Sequence, residues 1–117
     1  DKVDSTYKGV NAVRAMPELS QINSEENFEQ KLIFLCEGGV ANPEMHYRKI
    51  GSSESFSAQA LKPIHESLHL MRASLAKPGY DFEYYITGVI DGQEVIYPAT
   101  GGKEPASINQ TVIITPF

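Results

Sequence analysis

The clearest hydrophobic pattern in the chain lies between residues 55 and 77. Within it the apolar positions recur at intervals of four, three and four residues, at Ile64, Leu68, Met71 and Leu75. This spacing puts them on one helical face and predicts one long amphipathic helix over residues 55–77. Pro63 removes a backbone hydrogen bond, so the helix either begins near this proline or is kinked there.

A second apolar segment, residues 24–37, fits two structures. Ser24 can cap a helix, two acids follow it, and Gly38-Gly39 would stop it, which favours a helix. The five consecutive apolar residues at 32–36 are instead typical of a strand buried on both faces. Periodicity does not separate these alternatives, and we favour the strand.

The remaining apolar segments have β character. Apolar and polar residues alternate from Met45 to Ile50, as in a strand with one solvated face. Residues 80–90 are rich in aromatic and β-branched side chains, and Asp91-Gly92 after them predicts a two-residue hairpin turn. Residues 111–115 predict a last strand.

The order of these elements defines the expected fold class. Strands come first, then one helix, then further strands, which predicts an α+β protein with a mainly antiparallel sheet or an OB-like barrel. A doubly wound nucleotide-binding fold is disfavoured because strands and helices do not alternate. A chain of 117 residues suits one hydrophobic core, so we expect a single domain over residues 1–117.

Charge and composition narrow the range of possible binding partners. Ten basic and fifteen acidic side chains give a net charge of −5, which argues against nucleic acid. The chain has no apolar run of about 18 residues, so no membrane span is expected. It begins at Asp1, as expected if a signal peptide was removed or the chain was trimmed, and an extracytoplasmic location is our expectation. A lone cysteine, Cys36, suits a buried small hydrophobe.

One short motif has the pattern of a zinc site. His65, Glu66 and His69 fit H-E-x-x-H, in which two histidines one helical turn apart bind zinc and the glutamate activates water. Arg72 lies one turn from His69, Pro63 interrupts the helix, and no third ligand has a distinctive spacing. We therefore predict neither a metal nor a cofactor, and no serine, histidine and aspartate arrangement indicates nucleophilic catalysis.

Four tyrosines lie on the predicted hairpin, at Tyr80, Tyr84, Tyr85 and Tyr97. Phenol rings on one surface could stack against a sugar or a peptide. Alternation along a strand would instead divide them between the core and the surface. Tyr84 and Tyr85 are the candidate binding residues.

Several short segments resemble the B subunits of pertussis-like and subtilase-type AB5 toxins. They are Tyr7-Lys8-Gly9-Val10, residues 33–38, Ser55-Phe56-Ser57 and Glu83-Tyr84-Tyr85. The resemblance implies an OB-fold, export, assembly as a ring-shaped homo-oligomer and carbohydrate binding without catalysis. This chain departs from the pattern at two points, because Cys36 has no disulfide partner and Lys8 stands where those subunits have a sugar-contacting serine.

These observations lead to three functional hypotheses. The first is a non-enzymatic exported binding module whose partner is a glycan, with Tyr84 and Tyr85 in the site. The second is a protein-binding inhibitor, immunity or secretion-system accessory domain. The third is a minimal zinc hydrolase that uses His65, Glu66 and His69.

Overall fold

The computed structural model describes residues 11–65 and 68–115, and this part of the chain contains strands and no α-helix. No helix able to cross a membrane is found among these residues. The ten strands are β1 (Ala12–Ala15), β2 (Gln21–Asn23), β3 (Phe28–Leu35), β4 (Ala41–Lys49), β5 (Ser57–Ala60), β6 (Lys62–His65), β7 (Leu70–Leu75), β8 (Phe82–Ile90), β9 (Gln93–Tyr97) and β10 (Gln110–Thr115).

The strands form two sheets. The four-stranded sheet has the order β1-β3-β7-β6, and all its pairs are antiparallel. The six-stranded sheet has the order β2-β10-β8-β4-β5, with β9 also paired to β8. Its β2–β10 pair is parallel and the other pairs are antiparallel. Strand β8 is central because β4 lines one side of it, while β10 and β9 follow each other along the other side.

The sheets pack face to face around one core. Alternate side chains of β3 meet alternate side chains of β8, and Phe28 lies 5.1 Å from Phe82 and 5.4 Å from Tyr84 between ring centroids. Aromatic pairs at such distances stabilise a core beyond their buried area. Gly88 brings β8 especially close to β3, because a Cβ atom there would lie 2.6 Å from the Phe34 ring.

The predicted helix over residues 55–77 is wrong. This segment forms β5, β6 and β7. Two of the four residues at helical spacing are exposed, Ile64 at 37% and Leu68 at 56%. The segment instead follows a period of two, since Ala73 is buried between Met71 and Leu75, which also pack on the core. Pro63, a problem for a helix, lies in the edge strand β6, where proline is tolerated.

The α+β class and the OB-like barrel are therefore wrong as well, because the described chain is all-β and its two sheets stay open. Other predictions are confirmed. Residues 24–37 contain the strand β3, the alternating segment at 45–50 belongs to β4, and residues 111–115 lie in β10. The Asp91-Gly92 turn joins β8 to β9, with positive φ angles of 52° and 78°, as a type I′ hairpin requires.

Candidate functional site

An open groove of about 730 Å3 lies on the outer face of the six-stranded sheet. Strands β4, β8 and β9 form its floor. The β4–β5 loop, residues 50–56, forms one wall, and the β9–β10 loop, residues 98–109, forms the other. The floor side chains face the groove because side chains alternate between the two faces of a strand. The residues between the buried core positions of β4 and β8 therefore point away from the core.

Rings and hydroxyls make up the centre of the floor. His46 and Tyr85 are cross-strand partners, and their rings stack with centroids 4.5 Å apart and planes 7° apart. Phe56 meets the Tyr85 ring edge-on at 5.1 Å. A hydrogen bond of 2.9 Å joins His46 Nε2 to Thr87 Oγ1. These contacts pack the side chains of the floor against one another.

Glu83 ties both walls to the floor. Its Oε2 accepts a hydrogen bond from Arg48 Nε at 3.1 Å, and its Oε1 accepts one from Asn109 Nδ2 at 2.9 Å. Arg48 also donates to the Glu54 carbonyl at 3.2 Å and stands 4.2 Å over the Phe56 ring, so it anchors the first wall. A partly buried ion pair with further hydrogen bonds resists solvent competition better than an isolated surface pair.

The second wall is held by its own hydrogen bonds. Asn109 accepts from the Gly102 amide at 2.7 Å, and the Ile108 amide donates to the Thr100 carbonyl at 2.7 Å. Gly101 lies directly against the floor, because a Cβ atom there would be 3.0 Å from the Tyr85 Cβ. The loop therefore packs closely on the sheet at this point.

Acidic groups predominate around the groove. Glu44, Glu94 and Glu104 line it, and Lys103 supplies a cation from the second wall. Burial lowers the pKa of His46, Lys103 adds to that shift, and the charges of Glu44 and Glu94 oppose it. His46 is therefore neutral near pH 7 and can both donate and accept a hydrogen bond.

The structure separates the two predicted binding residues. Tyr84 points into the core with 0% exposure, and its hydroxyl has no hydrogen-bond partner among the residues that the structure describes. Burial there raises the pKa of Tyr84 far above its ordinary value. Tyr85 points into the groove floor, where it is 6% exposed. Tyr97 donates a hydrogen bond to Glu18, and Tyr80 lies at the surface just before β8, so the four phenols share no surface.

Neither histidine of the zinc-like motif lies on an α-helix. His65 ends β6, and His69 lies in the turn before β7 with a φ angle of 52°. Glu66 lies outside the described residues. Among the residues that the structure describes, no group of three side chains is placed to hold a metal ion.

Sequence reasoning missed Arg48, Glu83 and Asn109 as parts of one network. One signal was available, because alternation around the buried Met45 puts His46 and Arg48 on a shared polar face. Asn109 carries no such signal, since its loop position depends on contacts made across the sheet.

Comparisons with known proteins do not assign the chain to a family. No protein-family model matches the chain, and no curated protein matches it. The resemblance to AB5 toxin B subunits stays a prediction, and residues 7–10, which carry part of it, lie outside the described residues. The fold and the groove define the class: a two-sheet β-sandwich with an open polar groove on one outer face.

Proposed function

We propose that this chain is a non-enzymatic binding module that holds a short neutral glycan in the groove. One observation carries the proposal: an open, mostly polar groove on the outer face of a sheet, with hydrogen-bonding side chains around a floor of packed rings. An extracytoplasmic location and assembly with copies of itself stay predictions from the sequence.

The chemistry of the lining supports a hydroxyl-rich ligand. Carboxylates of Glu44 and Glu94 can accept two hydrogen bonds each from neighbouring hydroxyls, and Lys103 can donate. Serines at 53, 55 and 107 add groups that both donate and accept. The groove is open to solvent, which leaves room for a ligand of more than one sugar.

The charge of the groove supports a neutral ligand. Three carboxylates line the groove, those of Glu44, Glu94 and Glu104. Of the lining cations, Arg48 is paired with Glu83, and Lys103 forms no ion pair with a described carboxylate. An anionic sugar would be repelled there. A protein partner is less well matched, since protein hot spots need apolar pockets for buried anchors and this lining is mainly polar.

Two substitutions test the groove. Glu94→Gln and Glu44→Gln remove carboxylate acceptors from the lining and keep the side-chain shape. We expect each to weaken binding of a neutral oligosaccharide, identified on a glycan array, by about tenfold, since a hydrogen bond to a charged group is worth roughly 1.5–3 kcal/mol. Isothermal titration calorimetry measures the affinities.

Glu37→Gln is the matched control, because Glu37 is exposed after β3 and lies outside the groove. Its affinity should equal that of the wild type. The proposal is wrong if the wild type binds no neutral glycan at millimolar concentration, or if all three variants bind equally well.

A further inference from the structure

The outer face of the four-stranded sheet carries one exposed cation on every strand. In sheet order these are Arg14 on β1, Lys31 on β3, Arg72 on β7 and Lys62 on β6, here called the basic row. On β1, β3 and β7 alternating burial places the cation opposite the core, since the neighbouring Val13, Gln30, Leu32 and Ala73 are buried. Lys62 lies on the same face because it pairs with Arg72.

The strand register aligns the row across the sheet. Lys31 and Lys62 both pair directly with Arg72, one from each side. Arg14 pairs with Ile33, so it is the diagonal neighbour of Lys31. Directly paired side chains have Cβ atoms about 5 Å apart, and three strand spacings make the row about 14 Å long.

Such an arrangement costs stability in the free protein. Like charges directly opposite each other on neighbouring strands repel. Within residues 11–65 and 68–115 no carboxylate forms an ion pair with any member of the row. Among the described strand positions of this face, Glu29 is the single acidic residue, and it lies two residues before Lys31. The chain has ten cationic side chains and a net charge of −5, yet four of the ten stand together here.

We propose that the basic row binds a linear acidic polysaccharide, a chain of sugars bearing carboxylate or sulfate groups. Successive anionic groups of the polymer would meet successive cations across the strands. This inference does not rest on the groove, which lies on the opposite outer face of the sandwich and takes a neutral ligand.

The surroundings of the row favour a linear polymer. The row is one cation deep along the strands, because the next outward positions are Ile33 and Leu70 on one side and Glu29 and Ser74 on the other. An anionic membrane surface would be matched by a broad basic patch, not by a single line. The paired, half-buried Ile33 and Leu70 form an apolar edge beside the row, which suits the C–H faces of sugar rings.

The same surroundings argue against nucleic acid. Single-stranded nucleic acids are held by aromatic side chains that stack on bases, in addition to cations. Apart from His65, which pairs with Leu70 at the end of β6, the described strand positions of this outer face carry no aromatic ring.

Binding to polygalacturonate, measured by affinity electrophoresis and calorimetry, tests the proposal. We expect the wild type to bind it and to lose affinity steeply as salt rises from about 50 to about 200 mM. Lys31→Gln/Arg72→Gln should weaken binding by about tenfold or more and flatten the salt dependence. Glu94→Gln, a groove variant, should bind polygalacturonate as the wild type does.

Lys49→Gln/Lys77→Gln is the matched control. It removes two exposed cations outside the row and changes the net charge by the same amount, from −5 to −7. Its affinity should stay within about twofold of the wild type. A second row variant, Arg14→Gln/Lys62→Gln, should lose affinity like the first.

Folding of the row variants is checked by thermal unfolding, where relief of like-charge repulsion should leave the midpoint unchanged or raise it. The proposal is overturned if the wild type does not bind polygalacturonate at low salt, or if row and control variants lose affinity equally. Tighter binding to single-stranded DNA or to vesicles with about one third phosphatidylserine would also overturn it, since the occupant would then be another polyanion.

Discussion

His46, on the groove floor, should make the stability of the fold depend on pH. Its ring is stacked on Tyr85 and bonded to Thr87, and its side chain is 19% exposed. Burial is the main cause of its lowered pKa, ahead of the opposing charges of Glu44 and Glu94. The folded protein therefore takes up a proton at His46 less readily than the unfolded chain does.

We predict that this residue makes the fold less stable in acid. A histidine in the unfolded chain protonates near pH 6.5, so below about pH 6.5 the unfolded state holds the extra proton and is favoured. The free energy of unfolding should fall between about pH 7 and pH 5, and it should fall less for His46→Gln. Urea unfolding followed by circular dichroism measures both profiles, and identical declines would contradict the assignment.

Between strands, the closest approach of the two sheets depends on Gly88. This residue lies in β8 opposite β3, where a Cβ atom would be 2.6 Å from the Phe34 ring and 2.8 Å from the Val40 side chain. Neither neighbour can withdraw freely, because Phe34 is 1% exposed and Val40 packs against the core. Glycine thus allows β8, the strand that carries Glu83, Tyr85 and Thr87, to sit tightly on the other sheet.

Gly88→Ala should lower the free energy of unfolding by about 1–3 kcal/mol, because overpacking forces side chains or backbone to shift. Gly38→Ala is the control, since a Cβ atom at Gly38 would meet nothing within 4 Å. Chemical denaturation measures the difference. Equal stability of the two variants would show that the sheets are not as close as described.

A strand or turn can be predicted from the sequence when the interactions that form it are made between residues close together in the chain. The β8–β9 hairpin was predictable, because Asp91 and Gly92 both adopt the positive φ angles that this turn needs. Segment 55–77 was not, because its helical spacing arises by chance from two exposed residues and two core residues of β7. Strand β3 was ambiguous partly because Gln30, a polar residue, is fully buried in it.

Gln30 is buried because the chain before β3 supplies its partners. Its side chain accepts from the Leu19 amide at 2.9 Å and donates to the Pro17 carbonyl. A buried amide with its hydrogen bonds satisfied is compatible with a core. No spacing rule reveals such a partner eleven residues away. The candidate site has the same difficulty, since Arg48 and Glu83 are 35 positions apart and meet through the register of β4 and β8.

Over the whole molecule, the two outer faces differ in charge. The groove face is rich in carboxylates, while the opposite face carries the basic row. The net charge of −5 conceals this division, because composition does not record which face a strand residue occupies. The basic row gives one face an attraction for anions that the net charge of the whole chain does not reveal.

At this scale our main proposal is that the groove binds a neutral glycan. Titration of the 15N-labelled protein with such an oligosaccharide, followed by the amide chemical shifts in two-dimensional NMR, tests it most directly. We expect shifts that saturate and are confined to the floor strands and the two wall loops, residues 44–56 and 83–109, with the amides of Lys31 and Arg72 unchanged. Saturating shifts centred on the four-stranded sheet, or none at millimolar ligand, would contradict it.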